Sequence, residues 1–191
     1  MDIILIRHGE TYDNVNMHIS SKEVKLTDRG RRQIEKAKAI LDKLSFDRVY
    51  VSPLARAIET MEILGLEGDK EERIREVDFG LFEGKTYDQL QAEFAEELKM
   101  WFDDVINYVV PEGESIKMAY DRVVSFLEEL VDKKENALLI CHDGVIKIAL
   151  SWVFDNPEFF FKFKIDNGSI SIISIDEMGF KYIKKANYTV K

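Results

Sequence analysis

Two arginines and two histidines stand where they could grip and attack a phosphate. Arg7 and His8 follow one apolar run, Arg56 a second and His142 a third. If those runs are strands of an open α/β sheet, all four side chains meet at its carboxyl edge, where such sheets bind ligands. A phosphoryl group in transfer spreads negative charge over three equatorial oxygens, so catalysis rests on positioned cations and donors. The demand is large: phosphate monoester hydrolysis needs accelerations up to about 10²¹, roughly 29 kcal/mol. Arg7 and Arg56 suit it, because a planar guanidinium grips two oxygens and stays protonated at physiological pH. Neutral imidazole can attack phosphorus near pH 7, its unperturbed pKa being about 6.5. His8 is read as that nucleophile and His142 as a hydrogen-bonding stabiliser of the phosphoryl oxygens, although from the residues alone the two could exchange roles. Gly9 and Gly144, close behind, would let backbone N–H groups approach the phosphate.

A leaving alkoxide needs a proton, so a carboxylic acid of raised pKa should lie beside the cations. Glu76, Asp78 and Glu83 are the candidates, within the segment from Ile74 to Gly84. Apolar neighbours there could desolvate a carboxyl while the arginines act the other way, and this physics alone does not rank the three.

The positioning elements follow from patterning. The runs Ile3 to Ile6, Val49 to Val51 and Ala137 to Cys141 lack strict alternation, as strands buried on both faces of a parallel sheet do. Between the first two, Thr27 caps a predicted helix with Ile34, Ala37, Leu41 and Leu44 on one stripe. After the second, Ser52 reads as an N-cap and Pro53 as the first helical residue, with Leu54, Ala57, Ile58, Met61 and Leu64 on one face. Ser115 opens a long helix striped by Ile116, Tyr120, Val123, Leu127 and Leu130. Tyr87, Leu90, Phe94, Leu98 and Trp101 recur at helical spacing between Thr86 and Tyr108, giving one or two helices outside this alternation, a lid-like insertion at about 86–110. Ser169 to Ile175 and Phe180 to Ile183, separated by a turn ending in Gly179, read as an antiparallel hairpin. The fold expected is α/β: a three-layer α/β/α sandwich with a mostly parallel central sheet and one antiparallel edge strand or hairpin, as a single domain over 1–191.

Composition narrows the partners. With 27 Lys and Arg against 36 Asp and Glu, the net charge of -9 repels nucleic acid and anionic membrane surfaces, so an anionic substrate needs a local cationic pocket. The opening residues lack a basic leader and reach a basic charge at Arg7, too soon for a signal peptide or membrane span, which points to the cytoplasm. The single cysteine, Cys141, reads as a small buried apolar residue. Oligomeric state is left open.

Residue by residue, the chain resembles the histidine phosphatase superfamily, the phosphoglycerate mutase-like group, whose Arg-His-Gly-Glu-Thr signature stands here as Arg7-His8-Gly9-Glu10-Thr11. The likeness continues through Asn14, Leu26-Thr27 with Gly30 and Gln33, Ser52-Pro53-Leu54 with Arg56-Ala57 and Thr60, Glu76 with Phe79-Gly80, Glu83-Gly84, Gly113-Glu114-Ser115, and His142 with Gly144. It implies that His8 is phosphorylated, that Arg7, Asn14, Ser20 and Arg56 hold phosphate, that Glu76 donates the proton, and that His142 stabilises the transferred group. It also makes Glu83-Gly84 a turn feature. Within the family, Ser45-Phe46-Asp47 and the approach Phe163 to Gly168 look like those of alpha-ribazole phosphatases, which implies alpha-ribazole phosphate or another small phosphorylated metabolite as substrate. The compact insertion between Glu76 and Ser115 favours hydrolysis over mutase activity. Asp143 departs from the glycine common in the family, and Lys147 from its arginine.

Other chemistries fit less well. A cysteine phosphatase would need arginine where Lys147 follows Cys141. The only histidines are His8, His18 and His142, in no paired helical ligand motif, so neither metal nor other cofactor is expected; His18 reads as a surface residue near the pocket mouth. A cofactor-dependent phosphoglycerate mutase and a noncatalytic phosphate-binding regulatory module are the alternatives.

Overall fold

The computed structural model describes residues 1–189. In chain order it contains β1 (Asp2–Arg7), the single-turn α1 (Tyr12–Val15), α2 (Asp28–Leu41), β2 (Arg48–Val51), α3 (Ala55–Leu64) and β3 (Asp69–Lys70). Helices α4 (Tyr87–Glu93), α5 (Ala95–Asp103) and α6 (Ile116–Lys133) follow, then β4 (Ala137–Cys141), α7 (Asp143–Trp152), β5 (Ile170–Ile175) and β6 (Lys181–Tyr188). The sheet runs β3-β2-β4-β1-β5-β6. Pairings from β3 through β1 are parallel, and β5 is antiparallel to both neighbours.

Alternate residues of the central strands serve opposite layers, which is why their sequences show no polar alternation. Ile3 and Leu5 of β1, with Leu139 and Cys141 of β4, pack among α6 and α7 through Val123, Leu127, Val145 and Ala149. Ile4, Ile6, Leu138 and Ile140 face the other way, onto Ile34, Ala37 and Leu41 of α2 and Ala57 and Leu64 of α3. Each such side chain stabilises by about 1.5–3 kcal/mol, and truncating Leu139 to alanine should cost about 2–5 kcal/mol. This is the three-layer arrangement expected. No helix among the described residues is long and apolar enough to cross a membrane.

Thr27 and Ser115 cap as expected, their hydroxyls accepting from Gly30 N–H at 3.0 Å and Met118 N–H at 3.1 Å. Ser52 does not. Helix α3 begins at Ala55 behind Leu54, with no side-chain cap, because the Ser52 hydroxyl is turned toward His142. Leu44 lies beyond the end of α2 but packs on the same apolar cluster. The Thr86–Tyr108 segment forms two helices, broken at Phe94. The second hairpin strand runs on to Tyr188, past the expected Ile183, and the two-residue β3 was not anticipated.

Candidate active site

Strand register assembles the centre. Arg7 pairs with Cys141 across β1 and β4, and Val51 pairs with Ile140 across β2 and β4. The next residues, His8, His142 and Ser52, therefore leave three neighbouring strands together. The two imidazoles stand 5.2 Å apart, inclined at 60°, and both are buried. His8 Nδ1 lies 2.7 Å from the Gly9 carbonyl. A carbonyl can only accept, so neutral His8 carries its proton on Nδ1 and leaves the Nε2 lone pair free. Burial first, then Arg56 and Arg7, hold His8 well below the usual imidazole value. Burial and Arg56 do the same to His142.

Arg56 comes from the first turn of α3 and is 1% exposed. Its Nη1 donates to the Ser21 carbonyl at 2.8 Å, pinning the loop after α1 over the centre. Arg7 Nη1 donates to the Ile165 carbonyl at 2.5 Å and stands 3.8 Å from Asp143 Oδ1. Three buried nitrogens, Arg7 Nε, Arg56 Nε and His142 Nδ1, find no hydrogen-bond partner among the described residues. Leaving a buried donor unsatisfied costs about 1–3 kcal/mol. Two unpaired guanidinium donors and an unpaired imidazole nitrogen in one cluster suit the oxygens of a phosphoryl group.

The three carboxyls separate by environment. Glu76 Oε1 accepts from Val77 N–H at 3.0 Å and Gly144 N–H at 3.1 Å. Burial, then the nearby Asp143 carboxylate, push its pKa up against the pull of Arg56. Burial also pushes Asp78 up, but hydrogen bonds from Gly80 N–H and Lys22 outweigh it and hold Asp78 below the usual carboxylate value. Burial and the Asp78 carboxylate push Glu83 to about 7. A cavity of about 210 Å³ is lined by Ser20, Lys22, Arg56, Glu76, Asp78 and Glu83. Glu83 is thus a wall of the site as well as part of a turn. A larger groove, about 520 Å³ between α2 and the 166–168 loop, holds none of the four central side chains.

Gly144 does not offer its N–H to a phosphate, as its position suggested, because that donor is taken by Glu76. A Cβ there would come within 2.5 Å of Glu76 Oε1, so a larger residue would push the carboxyl from this position. Asn14 Oδ1 accepts from Thr11 N–H at 3.1 Å and Asn167 Nδ2 at 3.0 Å, and Asn14 does not line the cavity, whereas Ser20 does. His18 is partly exposed, its Nδ1 3.7 Å from Asp13 Oδ1.

Three supporting residues escaped the sequence reading. Ser52 Oγ lies 2.6 Å from His142 Nε2. Asn167 Nδ2 reaches the His8 carbonyl at 3.4 Å as well as Asn14. Arg122 of α6 donates to the carbonyls of Arg73, Arg75 and Glu76 at 2.7, 2.9 and 3.0 Å, and clasps Glu114 through Nε and Nη2 at 3.0 and 2.6 Å. Only the Gly113-Glu114-Ser115 motif hinted at that clasp.

Known proteins carry the same frame. The alpha-ribazole phosphatase of Shigella flexneri superposes with a TM-score of 0.90 and 30% identity, covering 98% of this chain and 96% of its own. Phosphoserine phosphatase 1 of Hydrogenobacter thermophilus is 28% identical over 183 residues, 92% of this chain and 87% of that protein. The 6-phosphofructo-2-kinase/fructose-2,6-bisphosphatase of Gallus gallus is 32% identical over 155 residues, 80% of this chain, which matches only 33% of that longer protein. The family described as the histidine phosphatase superfamily (branch 1) matches residues 3–188, taking in both histidines, both arginines and Glu76. The chain belongs to the histidine phosphatase superfamily, branch 1.

Proposed function

We propose that this phosphatase hydrolyses a small phosphorylated metabolite through a phosphohistidine on His8 Nε2, with alpha-ribazole phosphate the first substrate to test. The observation that carries the reading is the trio of buried unpartnered nitrogens, Arg7 Nε, Arg56 Nε and His142 Nδ1, beside an imidazole whose Nε2 is free to attack.

The steps balance on this chain's own groups. His8 Nε2 attacks phosphorus in line, forming the N–P bond as the P–O bond to the leaving group breaks. Arg7, Arg56 and His142 bind the equatorial oxygens, where charge accumulates. Glu76, whose pKa burial and Asp143 raise, gives its proton to the departing alkoxide. The resulting carboxylate takes a proton from water as that water attacks the phosphohistidine, releasing inorganic phosphate and restoring both residues.

The likeness to the Shigella flexneri alpha-ribazole phosphatase supports the substrate choice. The phosphoserine phosphatase relative supports a second candidate, phosphoserine, because Lys22, Asp78 and Glu83 line the cavity next to Arg56 and could meet a charged amino-acid leaving group. The test is a panel of phosphate esters, with alpha-ribazole phosphate, phosphoserine, phosphoglycerates and sugar phosphates, scored by phosphate release. A preference of about 10³ in kcat/KM, worth about 4 kcal/mol, assigns the substrate. Isomerisation of phosphoglycerate without phosphate release, or undiminished turnover by His8→Ala, would overturn the reading.

A further inference from the structure

We infer that Ser52 is a positioning residue that sets the proton of His142, fixing Nδ1–H as the donor to the phosphoryl oxygen. The inference rests on the phosphatase reading above for what that donor meets, but not for where the proton sits.

The argument is a proton count. Ser52 is fully buried, and its hydroxyl has two contacts among the described residues: the Leu54 N–H at 3.4 Å and His142 Nε2 at 2.6 Å. The Leu54 N–H can only donate, so it occupies the hydroxyl oxygen as an acceptor. The hydroxyl's single hydrogen then has one acceptor within reach, His142 Nε2. In a neutral imidazole, a nitrogen that accepts is unprotonated, which places the ring hydrogen on Nδ1. His142 is held neutral by burial and the neighbouring guanidinium charges. Its Nδ1 is a buried atom without a partner. The opposite tautomer would leave the serine hydrogen without an acceptor and aim a lone pair, in place of a donor, at an anionic substrate.

Two other features support this division of labour. The two histidines receive opposite kinds of partner. His8 Nδ1 faces a carbonyl, which frees its Nε2 to attack; His142 Nε2 faces a hydroxyl, which frees its Nδ1 to donate. Ser52 also arrives by register, as the first residue after β2 beside the strand that carries His142, with its own N–H bound to the Ile140 carbonyl at 3.0 Å. The pairing therefore belongs to the sheet edge and persists when surrounding loops move.

The experiment is long-range ¹⁵N–¹H correlation spectroscopy of the imidazoles in the resting wild-type protein, with His142 assigned against a His142→Gln sample. We expect a protonated Nδ1 and an unprotonated Nε2; a proton on Nε2 overturns the inference whatever the activity. In Ser52→Ala, the Nδ1–H signature should weaken and kcat should fall about 10–100-fold, the scale of one lost donor to a transition-state oxyanion, with KM little changed. Ser52→Thr, which keeps the hydroxyl, should restore both. A Ser52→Ala protein with wild-type tautomer and wild-type kcat overturns the role. If the wild type shows the expected tautomer yet releases phosphate from nothing on the ester panel, the phosphatase reading fails while control of His142 by Ser52 stands.

Discussion

The Asp143 carboxylate stands 3.8 Å from the Arg7 guanidinium, one residue ahead of the backbone N–H that holds Glu76. Lys147, one turn along α7, grips its other oxygen at 2.6 Å. Placed between the Arg7 guanidinium and the raised Glu76 carboxyl, Asp143 acts on both. It offsets part of the Arg7 charge, and it disfavours ionisation of Glu76. The charge at this position thus raises the pKa of the neighbouring acid while offsetting part of the local cationic field.

Replacing Asp143 with asparagine should separate the two effects. Removing the carboxylate lowers the pKa of Glu76, so the basic limb of kcat/KM moves to lower pH, because Glu76 must be protonated to donate. Arg7 is released at the same time, and KM should fall about 2–5-fold, the scale of a partly exposed ion pair. An unmoved basic limb would remove Asp143 from any part in tuning the acid.

The acid limb should lie below the ordinary imidazole range. Burial and the two arginines depress both His8 and His142, so His8 stays neutral at pH values where a solvent-exposed histidine is charged. The same depression is a stability statement. A histidine kept neutral in the folded state contributes stability above its unfolded value of about 6.5 and loses it as pH falls toward the folded one. The wild type should thus lose Tm faster than His8→Gln as pH drops below 6.5. Parallel Tm curves would show that His8 is not desolvated.

Arg122 carries the loop that delivers Glu76, and its loss should show in two readouts. Glu114 is 6% exposed and would keep only the partly exposed Arg75, 3.7 Å away, as its cation; breaking a buried pair costs up to about 3–5 kcal/mol. Arg122→Met should lower the urea midpoint accordingly and reduce kcat as the carbonyls of residues 73, 75 and 76 lose their common donor. Adding Glu114→Gln should recover part of the stability, since no charge is then stranded, but not the rate. Full recovery of kcat in the double variant would mean that Arg122 does not position the acid.

The two central strand–histidine junctions were legible because each is local: an apolar run and then a polar signature, with β1 and β4 adjacent in a parallel sheet. Glu76, Asp78 and Glu83 could not be ranked from their own segment. What distinguishes Glu76 is an N–H contributed by Gly144, distant in sequence, and what depresses Asp78 is the Gly80 N–H of its own segment together with Lys22 from outside it. Ser52 misled for a related reason. Serine before proline suits a helix N-cap, and only the strand order reveals that its hydroxyl faces His142 instead. β3, with two residues and no apolar pattern, gives no periodicity to read.

Glu83 and Glu76 both carry raised carboxyls on one cavity, and substitution should tell the proton donor from the bystander. Glu76→Gln removes the acid, and kcat should fall about 10²–10⁴-fold, most steeply for esters with poor leaving groups. Glu83→Gln should keep kcat within about 10-fold, the residue lacking the two backbone donors that orient Glu76. Its effect belongs to stability. Between the ordinary carboxyl value of 4.5 and about 7, the unfolded chain ionises Glu83 while the folded protein keeps the proton, so wild-type stability declines across that window as pH rises. Glu83→Gln cannot ionise and should flatten that decline, narrowing any Tm deficit below 4.5 into parity or a gain above 7. The effect should be modest, because the side chain is only partly buried. Identical slopes in the two proteins would place the raised carboxyl elsewhere, and a Glu83→Gln protein as slow as Glu76→Gln would make Glu83 the donor.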